Sequence, residues 1–193
     1  MVNYDKSMVE YIPGFVTPDV VEPINQYLNL FDVNMSKDVF YIDKIEAEHA
    51  EHREVLDKDI IGLVRVLEKK IYNYLITEYF PNRGFSVKSK EWSRALELIR
   101  WQKGSTLGAH ADGSSDAPQW PIINMGCLIY LNDEYNGGEI KFNDYDLVYQ
   151  PKIGDLVIFP NHYIHEVLEV KEKEPITRRH TMPVFYSFRI GKS

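Results

Sequence analysis

After Gly84 the hydrophobic pattern of this chain changes period and stays changed to its end. Short apolar runs follow one another: LELIRWQ (96–102), IINMGCLIYL (122–131), GEIKF (138–142), LVYQ (147–150), LVIFP (156–160), HEVLEV (165–170) and TMPVFYSFRI (181–190). Turn formers separate them, among them Lys103-Gly104, Asn136-Gly137-Gly138, Asn143-Asp144 and the stretch from Pro151 to Asp155. Many short strands at such spacing predict a sandwich or barrel. The first third reads differently. Thr17, Pro18 and Asp19 form a helix start, with Thr17 as cap, Pro18 in the first turn and Asp19 complementing the dipole. Val16 and Val21 are spaced as a hydrophobic staple, and the helix should reach about Asn29. Ile60, Val64, Leu67, Ile71, Tyr74 and Leu75 recur at helical spacing, which predicts a second helix from about Asp57 to Tyr79, closed by Pro81 and Gly84. The expected architecture is mainly β, with N-terminal helices packed on one sheet. We read 1–193 as a single domain, with 1–84 largely helical support and 85–193 the β core.

Composition narrows the function classes. The formal charge is -7, from 22 Lys and Arg against 29 Asp and Glu, which argues against a phosphate-backbone partner. Cys127 is the only cysteine, so no intrachain disulfide or thiolate zinc cluster is available. Within the apolar run MGCLIYL it should be buried and inert. No apolar run approaches the roughly 18 residues of a membrane span, and the N-terminus lacks a signal core, so a cytoplasmic protein is expected.

The chemistry concentrates in His110-Ala111-Asp112, within LGAHADG, and in His165, within FPNHYIHEV. Residues i and i+2 of an extended strand point the same way, so His110 and Asp112 can reach one ion together. A third facial ligand must come from another strand, and His165 heads one. Two imidazoles and a carboxylate are the 2-His-1-carboxylate set that holds Fe(II) with positions open to dioxygen and an anionic co-ligand. His162 competes with His165, but its place in a turn suits the site mouth or solvent. His49 and His52, in the charged run EAEHAEHRE, read as a solvated face. His180 should take a core or polar structural role. One of Arg178 and Arg179 should point inward from the last strand, where a carboxylate would have to pair with it; alternation admits only one of the two, and we take Arg179. Arg189 is a weaker candidate.

Taken together, RWQKGSTLGAHADG, CLIYLND with EYNGGEIKF, PKIGDLVIFPNHYIHEV and RRHTMPVFYSF resemble the 2-oxoglutarate- and Fe(II)-dependent dioxygenases, in particular the prolyl hydroxylase-like branch with its microbial and viral members. The resemblance covers roughly 96–190. It implies a double-stranded β-helix (jelly roll), with His110, Asp112 and His165 as iron ligands. It implies that Arg179 and Tyr130 bind the distal carboxylate of 2-oxoglutarate, that Trp101 stands where relatives commonly carry Tyr, and that Leu128, Val167 and Phe185 form an apolar wall. Two departures stand out: Trp101 lacks a phenolic oxygen, and the charged insert KEKEP lengthens the stretch before Arg179. Fe(II), 2-oxoglutarate and O2 are the implied cofactors, with ascorbate as a candidate. The implied reaction hydroxylates a prolyl or other side chain of a peptide or protein while 2-oxoglutarate becomes succinate. The alternatives are a hydroxylase of a free amino acid or small metabolite and a non-catalytic jelly-roll binding module. Repair of alkylated nucleic acid fits poorly, since Val184 and Phe185 stand where that branch carries a second arginine. A zinc hydrolase fits worse. The loop 113–121 and the segment 34–56 are candidate lids.

Overall fold

The computed structural model describes residues 4–31, 37–41, 54–94, 97–114, 116–173 and 178–193. Helix α1 (Pro18–Asn29) begins where its capping residues predict, with Thr17 at the N-cap and Pro18 in the first turn. Thr17 makes no side-chain cap bond, however, so its contribution is conformational only. Val16 and Val21 are both buried, as the staple requires. Helix α2 (Lys58–Tyr74) is capped by the Asp57 carboxylate, which accepts from the Asp59 amide at 2.9 Å. Ile60, Val64, Leu67 and Ile71 form its buried stripe. The chain then loosens into one π turn (Leu75–Tyr79) and a 3-10 turn (Pro81–Arg83), and Gly84 ends it in the left-handed conformation.

Fourteen strands are described: β1 (Glu10–Ile12), β2 (Lys37–Tyr41), β3 (Glu54–Val55), β4 (Phe85–Arg94), β5 (Glu97–Gln102), β6 (Leu107–His110), β7 (Ile122–Tyr130), β8 (Asn136–Gly137), β9 (Ile140–Phe142), β10 (Leu147–Tyr149), β11 (Leu156–Pro160), β12 (His165–Val167), β13 (Val170–Lys171) and β14 (Arg178–Lys192). The large sheet runs β1-β11-β7-β14-β5-β2-β3, with β4 also on β14; the small sheet runs β10-β9-β12-β6. This is a mainly β jelly roll with helices packed on the outer face of the large sheet. The first third is less purely helical than expected, because β1, β2 and β3 all join that sheet. HEVLEV is also not one strand: it breaks after Val167, and β13 pairs separately with β8. His49 and His52 lie outside the described residues, as does most of 34–56.

Strand alternation sorts the side chains of β14. Met182, Val184, Tyr186 and Phe188 join the core shared with the α1 and α2 stripes, while Arg179, Thr181, Pro183 and Phe185 face the small sheet. Cys127 lies in the same core, where burial pushes its thiol pKa up, so it is inert.

Polar groups also fill the helix side near the start of β14. Arg100, opposite His180 in the sheet, donates to the Leu28 carbonyl (2.6 Å), the Phe31 carbonyl (3.0 Å) and the Asp38 carboxylate (2.9 Å), which holds the end of α1 against β5. The His180 ring is fully buried, with Nδ1 2.6 Å from Asn25 Oδ1, and the His180 amide donates to Asn132 Oδ1. Burial, with the nearby charges of Arg100 and Arg178, pushes the His180 pKa down to about 3. The unfolded chain, with a histidine pKa of about 6.5, therefore binds this proton more readily. His180 should leave stability unaffected above about pH 6.5 and lower it as pH falls from there toward about 3. Thermal melts from pH 7.5 to 4.5 should show a shallower decline for His180→Gln than for the wild type; equal slopes would refute this assignment.

Candidate metal centre and its cavity

Strands β6 and β12 run antiparallel, and their register sets His165 directly opposite His110. The two rings lie 4.4 Å apart. Asp112 arrives by another route than a continued strand. β6 ends at His110, and the chain bends so that the Asp112 amide donates to the Asn161 carbonyl at 3.0 Å. The bend swings the carboxylate between the histidines, with Oδ1 3.5 Å from His110 Nε2 and Oδ2 3.6 Å from His165 Nε2. Each Nδ1 is occupied by a backbone carbonyl, Gly108 at 2.8 Å and Tyr163 at 3.0 Å, which leaves both Nε2 atoms free for a cation. One donor atom from each residue lies within 4.8 Å of the others. Ligand bonds of about 2.1 Å at right angles would set neighbouring donors about 3 Å apart, so small side-chain rotations complete the set. His165 is buried beside Phe142 and Phe159. Burial holds its pKa below the usual histidine range against the pull of Asp112, which favours the neutral, ligating form. Gly126 makes room: a Cβ there would lie 2.9 Å from the Phe159 ring and 3.4 Å from Asp112 Oδ2.

Behind the three side chains lies a cavity of about 70 Å³, whose walls include Trp101, Leu128, Val167, Arg179 and Phe185. Arg179 is 1% exposed, and its Nη2 donates to the Tyr130 hydroxyl at 3.2 Å. The guanidinium lies 5.6 Å from the Trp101 ring and 5.1 Å from the Tyr130 ring. Its Nε has no hydrogen-bond partner among the described residues. Tyr130 stands beside the guanidinium rather than in the cavity wall, and burial raises its phenol pKa against the opposing charge of Arg179. The Trp101 indole donates to Thr181 Oγ1 at 3.4 Å. Arg178 points to the opposite face, donating to Asn29 Oδ1, so the register separates the two arginines.

Thr181 and Pro183 also line the cavity and could have been read from alternation with Arg179 and Phe185. Ile99, Leu107, Ile140 and Phe159 come from other strands, with no local signal to mark them. His162 lines neither mouth nor solvent: it is buried, edge-on to Tyr4 at 4.6 Å. Arg189 lies at the exposed far end of β14 and pairs with Glu91.

A wider groove of about 270 Å³ adjoins the cavity, lined by Trp92, Arg94, Glu97 and Asn161 and sharing Asp112, Pro183 and Phe185 with it. It was not expected from sequence, because β4 was not. At the inner end, Gly138 has φ +66° and packs on Arg179; a Cβ there would meet Arg179 Cδ at 3.0 Å and the Tyr135 ring at 3.1 Å. Gly138→Ala should cost about 1–3 kcal/mol in chemical denaturation. Gly108→Ala, whose Cβ meets nothing within 4 Å, should cost under about 1 kcal/mol. Equal losses for the two would refute the packing argument.

Residues 96–187 match the family model described as the 2OG-Fe(II) oxygenase superfamily. A PKHD-type hydroxylase of Sphingopyxis alaskensis is 30% identical over 87 residues, which span 42% of this chain and 37% of that protein's length. Similar solved structures include the viral collagen prolyl hydroxylase of Paramecium bursaria Chlorella virus-1 in its 2OG complex (TM-score 0.67, 13% identity, 97% of this chain and 98% of that one). A prolyl hydroxylase of Trichoplax adhaerens, in complex with a hypoxia inducible factor oxygen degradation domain peptide fragment, gives TM-score 0.62 at 16% identity (95% of this chain, 84% of that one). The prolyl-4-hydroxylase of Pseudomonas putida gives 0.59 at 14% (93% and 91%). At these identities the structures bear on fold, and the family match bears on the oxygenase class. Residues 96–187 thus resemble the 2OG-Fe(II) oxygenase superfamily, and the whole chain shares its jelly-roll fold with the prolyl hydroxylase structures.

Proposed function

We propose that the protein is an Fe(II)- and 2-oxoglutarate-dependent dioxygenase that hydroxylates a prolyl or other side chain of a peptide or protein. One observation carries this reading: a cation-ready trio, His110, Asp112 and His165, shares a small cavity with a buried arginine whose Nε lacks a partner among the described residues. A buried guanidinium is costly unless a carboxylate pairs with it, and a planar fork suits two carboxylate oxygens. The residues present therefore fit both a divalent cation and a dicarboxylate.

In this reading His110, Asp112 and His165 hold the iron, which when bound activates dioxygen with 2-oxoglutarate as the source of two electrons. The balance is 2-oxoglutarate, O2 and a C–H bond giving succinate, CO2 and a C–OH bond. Arg179 holds the distal carboxylate of 2-oxoglutarate and Tyr130 stands as its second donor. Because Tyr130 Oη already accepts from Arg179, its proton is free to point at a ligand oxygen. Trp101, Leu128, Val167 and Phe185 exclude water and orient the chain between the two ends. Arg179 and the histidines donate or coordinate without exchanging protons, so the chain needs no nucleophile or general base. Ascorbate is a candidate supporting cofactor. The acidic overall charge disfavours a nucleic-acid substrate, and no helix among the described residues is long and apolar enough to cross a membrane.

Anaerobic addition of Fe(II) and 2-oxoglutarate should produce a charge-transfer absorption band that His110→Ala or Asp112→Ala abolishes. A wild type without the band would defeat the proposal. Arg179→Ala should weaken 2-oxoglutarate binding roughly tenfold or more, the loss of a buried charge-assisted pair, while Arg178→Ala leaves it within about threefold. The reverse order would overturn the assignment of Arg179. Succinate release in the presence of proline-containing peptides, with one oxygen added to the peptide, checks the substrate class; oxidation of free amino acids alone would favour a metabolite hydroxylase.

A further inference from the structure

Two of the three side chains of the trio lean on one turn. Residues 161–164 join β11 to β12, and the Asn161 carbonyl accepts from the Asp112 amide at 3.0 Å. A Cβ on Gly113 would lie 2.8 Å from Asn161 Nδ2, so the loop that carries Asp112 is seated closely on the same residue. Two residues further on, the Tyr163 carbonyl lies 3.0 Å from His165 Nδ1. A shift of this turn therefore moves a carboxylate and an imidazole together. The backbone of the turn is bonded to both sheets, through the Asn161 amide on the Asn124 carbonyl and the Ile164 carbonyl on the Asn143 amide. Its aromatic side chains are covered by the N-terminal segment.

That segment is a strap with two attachments. At the turn, the Asp5 carbonyl accepts from the Tyr163 hydroxyl at 2.9 Å, and the Tyr4 ring stands edge-on to His162 at 4.6 Å. Tyr163 is buried and also packs on Tyr145, with ring centroids 4.8 Å apart. At its other end the strap forms a 3-10 turn (Lys6–Met8) fastened to the chain beyond α2. There the Tyr79 hydroxyl donates to the Met8 carbonyl at 2.6 Å, and Arg83 Nη2 donates to the Ser7 carbonyl at 2.9 Å. Strand β1 follows at once and pairs with β11, the strand that leads into the turn. The Tyr4 hydroxyl has no partner among the described residues, so what Tyr4 contributes is its ring.

We propose that this N-terminal strap, residues 4–8, presets the metal centre through the turn, with Tyr163 as the positioning residue. The Tyr163 hydroxyl is fixed by the strap, and the Tyr163 carbonyl fixes the ring of His165. The inference rests on the reading of His110, Asp112 and His165 as metal ligands, and it adds what holds two of them ready before a cation arrives. Ligating side chains kept within about 0.5 Å of their bound positions spare the cation the cost of ordering them. Groups that orient a ligating histidine commonly change metal affinity by roughly 10–100-fold when they are lost. Here the orienting group is a carbonyl, which no side-chain replacement removes. The grip of the strap on Tyr163 is what a substitution can loosen.

The test uses the full chain, freed of metal with a chelator and titrated with Co(II), whose visible ligand-field bands report both affinity and coordination geometry. Tyr163→Phe, which releases the Asp5 carbonyl but keeps the ring, should weaken Co(II) binding roughly tenfold and shift the bands. Tyr4→Ala should weaken binding in the same direction, and Tyr4→Phe, which keeps the ring against His162, should restore most of the affinity. Tyr186→Phe removes a hydroxyl bond of the same kind, to the Glu68 carbonyl at 2.7 Å on the helix side, and should change Co(II) affinity less than about twofold. Wild-type affinity and bands in Tyr163→Phe, or an equal loss in Tyr186→Phe, overturn the proposal and leave the metal reading standing. A wild type that binds no Co(II) overturns the metal reading itself. Because a variant can fail to fold, amide hydrogen exchange is also followed in the wild type. Coupling between two sites is reciprocal, so Co(II) should slow exchange of the Met8 and Val9 amides roughly fivefold or more. The Val20 amide, bonded to Thr17 in the first turn of α1, should exchange at an unchanged rate. Slowing confined to the trio and residues 161–167, with Met8 and Val9 unaffected, overturns the proposal.

Discussion

The pairing of β14 with its two neighbours governs the rest of the structure. One edge of this strand pairs with β7 along nine residues, and the other pairs first with β5 and then with β4. Its register decides which of two adjacent arginines enters the sandwich. A slip of one residue would turn Arg179, Thr181 and Phe185 toward the helices and push Val184 and Tyr186 into the cavity. The register is held from behind by apolar packing against α1 and α2 and by Asn132, which bonds the Arg178 carbonyl and the His180 amide. The helices of the first third thus serve the site without touching it: they make one face of β14 the only face that can be buried against them.

Much of this was legible from sequence, for a physical reason. The helical stripe of α2, the proline-started α1 and the long apolar strands β7, β11 and β14 carry their own periodicity, and each formed close to its expected position. His110, Asp112 and His165 could be grouped because the turn and strand signals around them were strong, and the structure brings them together. What was not legible depends on pairing at a distance. The run FSVKSKEWSR of β4 is rich in Ser and Lys and becomes a strand because β14 offers it an edge. β1 is three residues long and is anchored by β11, while the Asp155 carboxylate accepts from the Tyr11 hydroxyl and the Gly14 amide. The groove beside β4 stayed invisible for the same reason.

Two local expectations also failed instructively. Asp112 was expected to share a strand face with His110, yet it lies beyond the strand end, in a bend fastened to Asn161. The spacing was informative even though the assumed geometry was wrong, since two residues suffice for a sharp reversal as well as for one pleat. His162, expected at the mouth or in solvent, is packed against Tyr4 and Tyr163, because the turn that carries it folds inward onto the aromatic N-terminal segment.

The sandwich itself imposes one further property. The two histidines belong to the small sheet and Arg179 to the large one. Facing sheets keep a spacing of about 10 Å, set by the bulk of the side chains between them. That spacing would work as a gauge of molecular length: a molecule gripped at both ends must match the gap, and neither a one-carbon-shorter nor a longer homologue could satisfy both anchors without changing the separation of the sheets. For the dicarboxylate proposed above, discrimination by length would then reside in the layer separation, and repacking Ile99, Leu107 or Ile140 would recalibrate it without altering any group that touches the ends.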